Sequence, residues 1–525
     1  MRSTFHGLET SKRALLTQQT ALHTIGHNIA NAATEGYTRQ RVTLSATQPM
    51  EAVGRQRTTL PGQIGTGVQY DKIERIRDSY LDMQYRRENQ DLAMWSIHES
   101  VLHSIEMLIN EPSNNGLRAV MDKFWNSLEA LNRDPMLLSA RIDLIGSALN
   151  LVDTFRHINS GLNAIVSDVE LSIERKLVQA NNLIQSIAEL NDLIRHTEAM
   201  GDNANDFRDQ RDLLIDQLST IVDVQVVETL DGNFTITSAG VVVVDNAQAT
   251  LLTVANAETA TSGELAGYQR ALNEVDTVRN QLNAMVNALV TGEVTVRLEN
   301  GYVTDRIMTA NNAVTLEDGT VIPAGGTIPA GVRIVSPVEF TVQGFNGLHR
   351  LGYTLSDPAE SDIPFFKTAD GSTEFTMENI RVNPDIQNDT SKIAASGQYV
   401  MDGGTKVTVK GNSDIAHALA GLRDKVFSYP ASLTSLASGT IDDYFRAMVG
   451  DLGIRANEAI RNKENLQNLV NMVDMRRQSV SGVSLDEELA EMLRFQHAYN
   501  AAARNMTTVD EMLDRIINHM GLVGR

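Results

Sequence analysis

His23 and His27 stand four residues apart near the amino terminus, a spacing at which a helix can offer two imidazoles to one metal ion. In HTIGH, however, Thr24 occupies the place where a zinc protease needs its glutamate base, so surface or interface histidines are expected instead. The acidic run DNANDFRDQRD, residues 202–212, looks like a calcium loop at first, but it lacks the central glycine and puts Ala204 at a ligand position. Its Asp206, Arg208, Asp209, Arg211 and Asp212 are expected to cap and lace the start of a helix. Gly62, Gly65 and Gly67 are not in dinucleotide-binding order, and the sequence has no GxxxxGK[ST] loop and no GxSxG elbow. The expectation is a protein with no catalytic residue, no metal and no cofactor.

The chemistry that remains is recognition. In HNIANAATEGYTRQRV, residues 27–42, Asn28 and Asn31 fall three apart and share a helix face. Their amides can bond a neighbour or cap the helix end. Ala30, Ala32 and Ala33 allow close backbone approach, and Tyr37, Arg39 and Gln40 supply a ring and planar donors just beyond. This set suits a specific packing interface.

The elements that must position these residues are long helices. The spacing predicts a helix over 4–33 with a seam of Leu8, Ser11, Leu15, Gln18, Leu22, Ile25, Ile29 and Ala32, and with Gly36 as its stop. The other end predicts a helix opened by a Ser484–Glu487 capping box. Its seam is Leu485, Leu489, Met492, Gln496, Tyr499, Ala503, Met506, Asp510, Leu513, Ile517 and Met520. Such a stripe must find cover, and the first helix is of similar length. Charge favours that pairing: residues 1–60 carry seven basic and three acidic side chains, residues 480–525 four and seven.

The chain has 525 residues, a formal net charge of −21 and no cysteine. Disulfides and cysteine-based zinc sites are thereby excluded, and binding to nucleic acid phosphates or anionic lipid is disfavoured. The opening MRSTFHGLETSKRALL has no apolar core of a secretory signal, and no stretch is long enough to enter a membrane. No proline falls between Pro135 and Pro323, whereas six of the eleven lie from Pro323 to Pro384. Helix interiors exclude proline and turns accept it. Helices are therefore expected over about 75–109, 117–131, 137–199 (with Gly161 as a possible bend), 206–218 and 264–289, with hairpins between 223 and 245. Strands are expected over 294–409, with the two IPAG copies as tight turns, then helices from about 415 to the end; residues 41–68 read as extended or loop-like. The fold class is mainly α with a β-rich insert. The terminal helices pair as a coiled coil, a long-helix bundle body carries a small β-hairpin part, and an outer β domain completes the chain. The corresponding domains are 1–64 plus 480–525, 65–293 plus 410–479, and 294–409.

GHNIANAATEGYTRQRV (26–42) and SGVSLDEELAEMLRFQHAYNAAARNMTTVDEMLDRIINHMG (481–521) resemble the terminal signatures of bacterial flagellar axial proteins. GTGVQYDKIERIRDSYLDMQYRREN from Gly65 and NDFRDQRDLLIDQLS from Asn205 narrow the resemblance to the hook-associated proteins of the hook–filament junction. The resemblance implies export through the flagellar type III pathway and a cytoplasmic export chaperone at the C-terminal region. It also implies terminal helices that order on assembly, a ring of about eleven copies, and hook protein and the second junction protein as partners. The assembly residues it implies are Leu8, Leu15, Leu22, Ile25, Asn28, Ile29, Asn31, Gly36, Tyr37, Arg39, Gln40, Leu485, Leu489, Met492, Tyr499, Met506, Leu513 and Ile517. A hook or distal-rod protein, or an intracellular coiled-coil scaffold, shares the periodicity.

Overall fold

The structure is a computed structural model that describes residues 5–49, 64–114, 116–229 and 232–519. In chain order it begins with α1 (His6–Ala30), the hairpin β1 (Gln40–Ala46) and β2 (Val68–Arg75), α2 (Ser79–Ile109), α3 (Leu117–Arg133) and α4 (Leu138–Ala199). Then come α5 (Asn205–Ile221), β3 (Gln225–Glu228), β4 (Phe234–Ser238), β5 (Val241–Asp245), β6 (Gln248–Ala249), α6 (Val254–Glu258) and α7 (Gly263–Thr291). A strand-rich stretch follows, in which β7 (Glu293–Leu298) pairs with Val338–Gln343. It holds α8 (Gly344–Leu351) and α9 (Pro384–Asn388), and α10 (Asp414–Ala420) comes after it. The last helices are α11 (Ile441–Ser481) and α12 (Leu485–Asp514). No described helix is long and apolar enough to cross a membrane.

The described residues form two compact units. The first draws on 1–96, 173–267 and 462–525. Its sheet β3-β4-β5-β6 is antiparallel throughout, with Phe234, Ile236 and Ser238 of β4 buried in alternation, as a strand with one covered face requires. The second draws on 97–172 and 268–461. At its core Phe345 meets Phe124, Phe365 and Phe366 with ring centroids 5.5, 5.1 and 5.5 Å apart. Short antiparallel pairs fill 302–334, and Gly325 and Gly331, the last residues of the IPAG copies, take φ of 76° and 77° as tight turns do.

The helical expectations are met to within a few residues in α2, α3, α4, α5 and α7, because nothing in those stretches interrupts the period. Two expectations are corrected, the end of the first helix and the helix from 415. The first helix stops at Ala30, where Asn31 caps it by donating from Nδ2 to the His27 carbonyl at 3.1 Å. Within the stretch read as extended or loop-like, the described residues pair as a hairpin: β1 and β2 run from Gln40 opposite Arg75 to Ala46 opposite Val68, with a bulge at Thr43/Leu44. α4 runs unbroken through Gly161 for 62 residues, and the glycine makes room for Leu108 of α2. Helix does not continue from 415, since α10 gives way to a 3₁₀ turn and to the hairpin Phe427–Ser428 with Ser438–Gly439 before α11 begins.

The second unit holds a built-in response to acid. His349 is fully buried, donates from Nδ1 to the Ile363 carbonyl at 2.7 Å, and accepts the Ala394 amide at Nε2 at 3.0 Å. Only the neutral ring can do both, and burial pushes its pKa down to about 4. The folded value lies below the unfolded one, so the stabilisation is whole above about pH 6.5 and is lost as pH falls toward about 4. The unfolding midpoint should drop across that window. In His349→Gln, which offers the same donor and acceptor without titrating, the drop should flatten.

Candidate assembly site

α1 and α12 lie against each other in the first unit, antiparallel. Gly7 faces Val509 so closely that an added Cβ would sit 3.3 Å from its Cγ2. Ser11 accepts from Asn505 Nδ2 at 3.0 Å, and Asn28 donates to Glu488 Oε2 at 2.9 Å. Successive partners are separated by the same number of residues on both helices, so one register holds along the pair.

Asn28 is the centre of the node at its end. The amide is 1 % exposed, so each polar atom needs a partner. Nδ2 donates to the Gln40 carbonyl at 2.9 Å as well as to Glu488. Oδ1 accepts the Tyr37 hydroxyl at 2.8 Å and the Gln40 amide at 3.0 Å. Arg39 then reaches across α12, from Nε to Glu488 at 2.6 Å and from Nη1 to Glu487 at 2.7 Å, while its amide bonds the Ser481 carbonyl at 2.9 Å. The expected capping box does not form: Ser484 is the N-cap but its side chain makes no cap bond. Its acidic partners are drawn to Arg39 and Asn28, whose charged and fully paired contacts are stronger than a solvent-exposed cap. Burial, with Asp206, Asp209 and Glu488 nearby, pushes the Tyr37 hydroxyl well above its usual range, which keeps it a donor.

Beneath the node the same segment is fastened to α5. The Thr38 amide donates to Asp209 at 2.9 Å, and Gln40 Nε2 to Asp206 at 2.7 Å. Arg75 Nη1 lies 2.7 Å from Asp209 and 2.9 Å from Asp212. Arg86 bonds Asp216 at 2.6 Å, and Arg477 of α11 reaches Asp216 at 2.6 Å. Arg77 clasps Asp82 at 2.6 and 3.1 Å. Burial alone would raise the Asp212 carboxyl, but the guanidinium groups of Arg77, Arg75, Arg86 and Arg211 outweigh it and hold the pKa well below the usual carboxylate range. Asp209, with fewer cations, is pushed up by burial against Arg75 and Thr38. The acidic run of 202–212 therefore docks the amino-terminal segment, and no side chain caps the start of α5. Gly36 belongs to this dock and not to the end of α1: its φ is 77°, and a Cβ would come within 3.0 Å of Leu213 on α5.

The structure brings Asn28, Tyr37, Arg39 and Gln40 into one network and leaves Asn31 as a cap. In α1, Ile25 is buried, and Leu8, Leu15, Leu22 and Ile29 are half-buried. In α12, Leu513 is buried, and Met492, Tyr499 and Met506 are half-buried. Leu485, Leu489 and Ile517 are 49, 50 and 65 % exposed, so they are not on the side that meets α1. The less exposed positions run instead through Glu488, Met492, Phe495, Tyr499, Ala502, Met506, Val509 and Leu513. Met520 lies outside the described residues. Glu488 and the Asp209–Asp212–Asp216 face escape sequence reasoning because acidic residues abound in this chain. The usable signal is the match of two arginine-rich stretches, IERIRD and YRREN, to aspartates spaced three and four apart. Among the described residues no group of three His, Asp or Glu is placed to hold a metal. His27 meets Asp206 at 3.4 Å, and His23 lies 3.5 Å from Gln19.

Both halves of the α1–α12 pair fall on profiles of flagellar rod-type ends: "Flagella basal body rod protein" matches 8–38, and "Flagellar basal body rod FlgEFG protein C-terminal" matches 476–519. Long helices closed by such a pair of ends define a flagellar axial type of protein. "Flagellar hook-associated protein FlgK helical domain" matches 102–262. The chain belongs to the flagellar hook-associated protein 1 family: it is 34 % identical over 543 residues to that protein of Bacillus subtilis, with 100 % of each chain covered. The protein of the same name from Salmonella typhimurium is 25 % identical over 95 % of this chain and 97 % of its own. The solved flagellar hook junction protein FlgK of Burkholderia pseudomallei has 14 % identity and a TM-score of 0.49, covering 76 % of this chain and 100 % of that one.

Proposed function

We propose that this protein is a non-catalytic structural part of the bacterial flagellum that joins hook to filament as a junction ring. One observation carries the reading. With α1 and α12 already paired, Leu485, Leu489, Leu493 and Met512 remain between 49 and 58 % exposed on α12. Leu485, Leu489 and Leu493, each about one turn from the next, form an apolar row that calls for further partners. Neighbouring copies in a ring of about eleven supply them, with heterologous contacts that close on themselves. Hook protein lies on one side and the second junction protein on the other.

In this reading residues 1–64 plus 480–525 form a terminal coiled-coil domain. Residues 65–293 plus 410–479 form the helical body, and 294–409 an outer β domain. Among described residues α12 itself buries only Glu488 and Leu513, so the pair alone is weak, opens and closes in the free chain, and becomes fully ordered when neighbours cover it. The chain leaves the cell through the flagellar type III route, with a chaperone shielding the C-terminal region until then. It works outside the cell, without nucleic acid and without membrane insertion.

A strain lacking the protein should build hooks of normal length that carry no filament, with unpolymerised flagellin in the medium. Filaments of normal number on such cells would reject the junction role.

A further inference from the structure

We infer that Glu488 sets the register of the terminal helix pair: it is a positioning residue that admits one alignment of α12 on α1 and rejects the neighbouring ones. The need for such a device follows from the seam. The buried positions of α1 are Ser11, Thr17, Ala21, Thr24, Ile25 and Asn28, most of them small. α12 answers with Met492, Phe495, Tyr499, Ala502, Met506 and Val509, all only half-buried. A face of small side chains gives these larger ones few fixed sockets, and the apolar pattern of α12 returns every heptad at Met492, Tyr499, Met506 and Leu513, so apolar contact alone leaves a slide of seven residues open.

The polar node makes that slide costly. Glu488 is 2 % exposed, and its two oxygens are taken by Asn28 Nδ2 at 2.9 Å and Arg39 Nε at 2.6 Å. Sliding one way lays Phe495 over the Asn28 amide and carries Glu488 past the end of α1. Sliding the other way leaves Asn28 opposite Ser481, short of α12. Either shift takes the Glu488 acceptor from the buried Asn28 amide, which cannot reach water, and from the part-buried Arg39 guanidinium, so each shifted alignment is costly. A single buried polar residue that fixes alignment at some cost in stability is a known way to choose one register among several. The second polar contact, Ser11 with Asn505, lies toward the other end of the pair and involves no charge.

The absence of cysteine makes register directly measurable by disulfide trapping in the full-length chain. Gly7→Cys with Val509→Cys reports the native alignment. Gly7→Cys with Ala502→Cys and Gly7→Cys with Ile516→Cys report slides of one heptad in either direction. Trapping samples whatever alignments are visited, so it works even if the pair opens and closes. With Glu488 in place, the native disulfide should exceed each shifted one by about tenfold or more. Glu488→Leu, which keeps the helix and enlarges the apolar seam, should lower that ratio about tenfold. Glu488→Gln, which retains an acceptor for Asn28, should fall between. A residue that merely stabilised the pair would slow all three disulfides together and leave their ratio unchanged. The inference is overturned by an unchanged ratio in Glu488→Leu, or by no native preference in the parent chain. Register is read on the isolated protein, so it stands or falls separately from the junction role.

Discussion

Asp212→Ala is expected to cost the first unit about 3 kcal/mol, near the lower end of what breaking a buried ion pair costs. Asp212 is 8 % exposed and faces Arg75 at 2.9 Å, Arg77 at 3.5 Å and Arg86 at 3.4 Å. Removing it leaves three largely buried guanidinium groups short of one carboxylate. The loss is held below the upper end because Asp209 still faces Arg75, Asp82 still clasps Arg77, and Asp216 still bonds Arg86. Urea unfolding read by circular dichroism measures it. The pH dependence gives a second handle. Asp212 is held below its unfolded value, so its stabilisation is present above about pH 4 and fades as pH falls below that. The stability difference between the native chain and Asp212→Asn should therefore be largest near neutral pH and shrink in acid. A difference that grew in acid would show that Asp212 is not the ionised partner.

Arg39→Ala is expected to release α12 from its place. Glu488 would keep Asn28 as a donor but lose its countercharge while still buried, a penalty of about 3 kcal/mol or more. Most of the rest of α12 is only half-buried or exposed, so little is left to offset this. The first unit itself stays folded, because its Arg–Asp dock is untouched. Limited proteolysis should then cut within 485–514 at least several-fold faster than in the native chain, and swimming should fail. Arg39→Lys should not restore either property, since a single ammonium cannot repeat the bonds from Nε at 2.6 Å and Nη1 at 2.7 Å. Proteolysis at the native rate in Arg39→Ala would show that the apolar seam alone seats the helix.

The contrast between these residues and the sequence pattern says what could be seen in advance. Long helices were legible because a proline-free stretch with unbroken period has few alternatives; α4 is the clearest case. The amide-rich segment was legible as an interface, since two asparagines, a tyrosine and an arginine crowd into a few residues that face no obvious chemistry. Its partners were not. Glu488 lies one position from Leu489 in a run of three acids, and the capping-box pattern offers a simpler use for that run. Only the meeting of residues 460 apart in sequence shows that Asn28 takes the carboxylate instead. The same holds for Leu485 and Leu489: heptad spacing finds an apolar stripe but not which of two adjacent faces meets α1. The β1–β2 hairpin was hidden by its largely polar strands, half-buried at most along their length except at Gln40.

That exposed stripe decides the central claim, that other molecules cover what the chain cannot cover itself. Leu489→Asp should leave the purified monomer's helix content and unfolding midpoint within error of the native chain, because Leu489 is half exposed there. In cells the same variant should be secreted but absent from hook tips when hooks are isolated and probed with antibody. Leu489→Asp retained on hook tips at the native level, with filaments growing from them, would contradict the account.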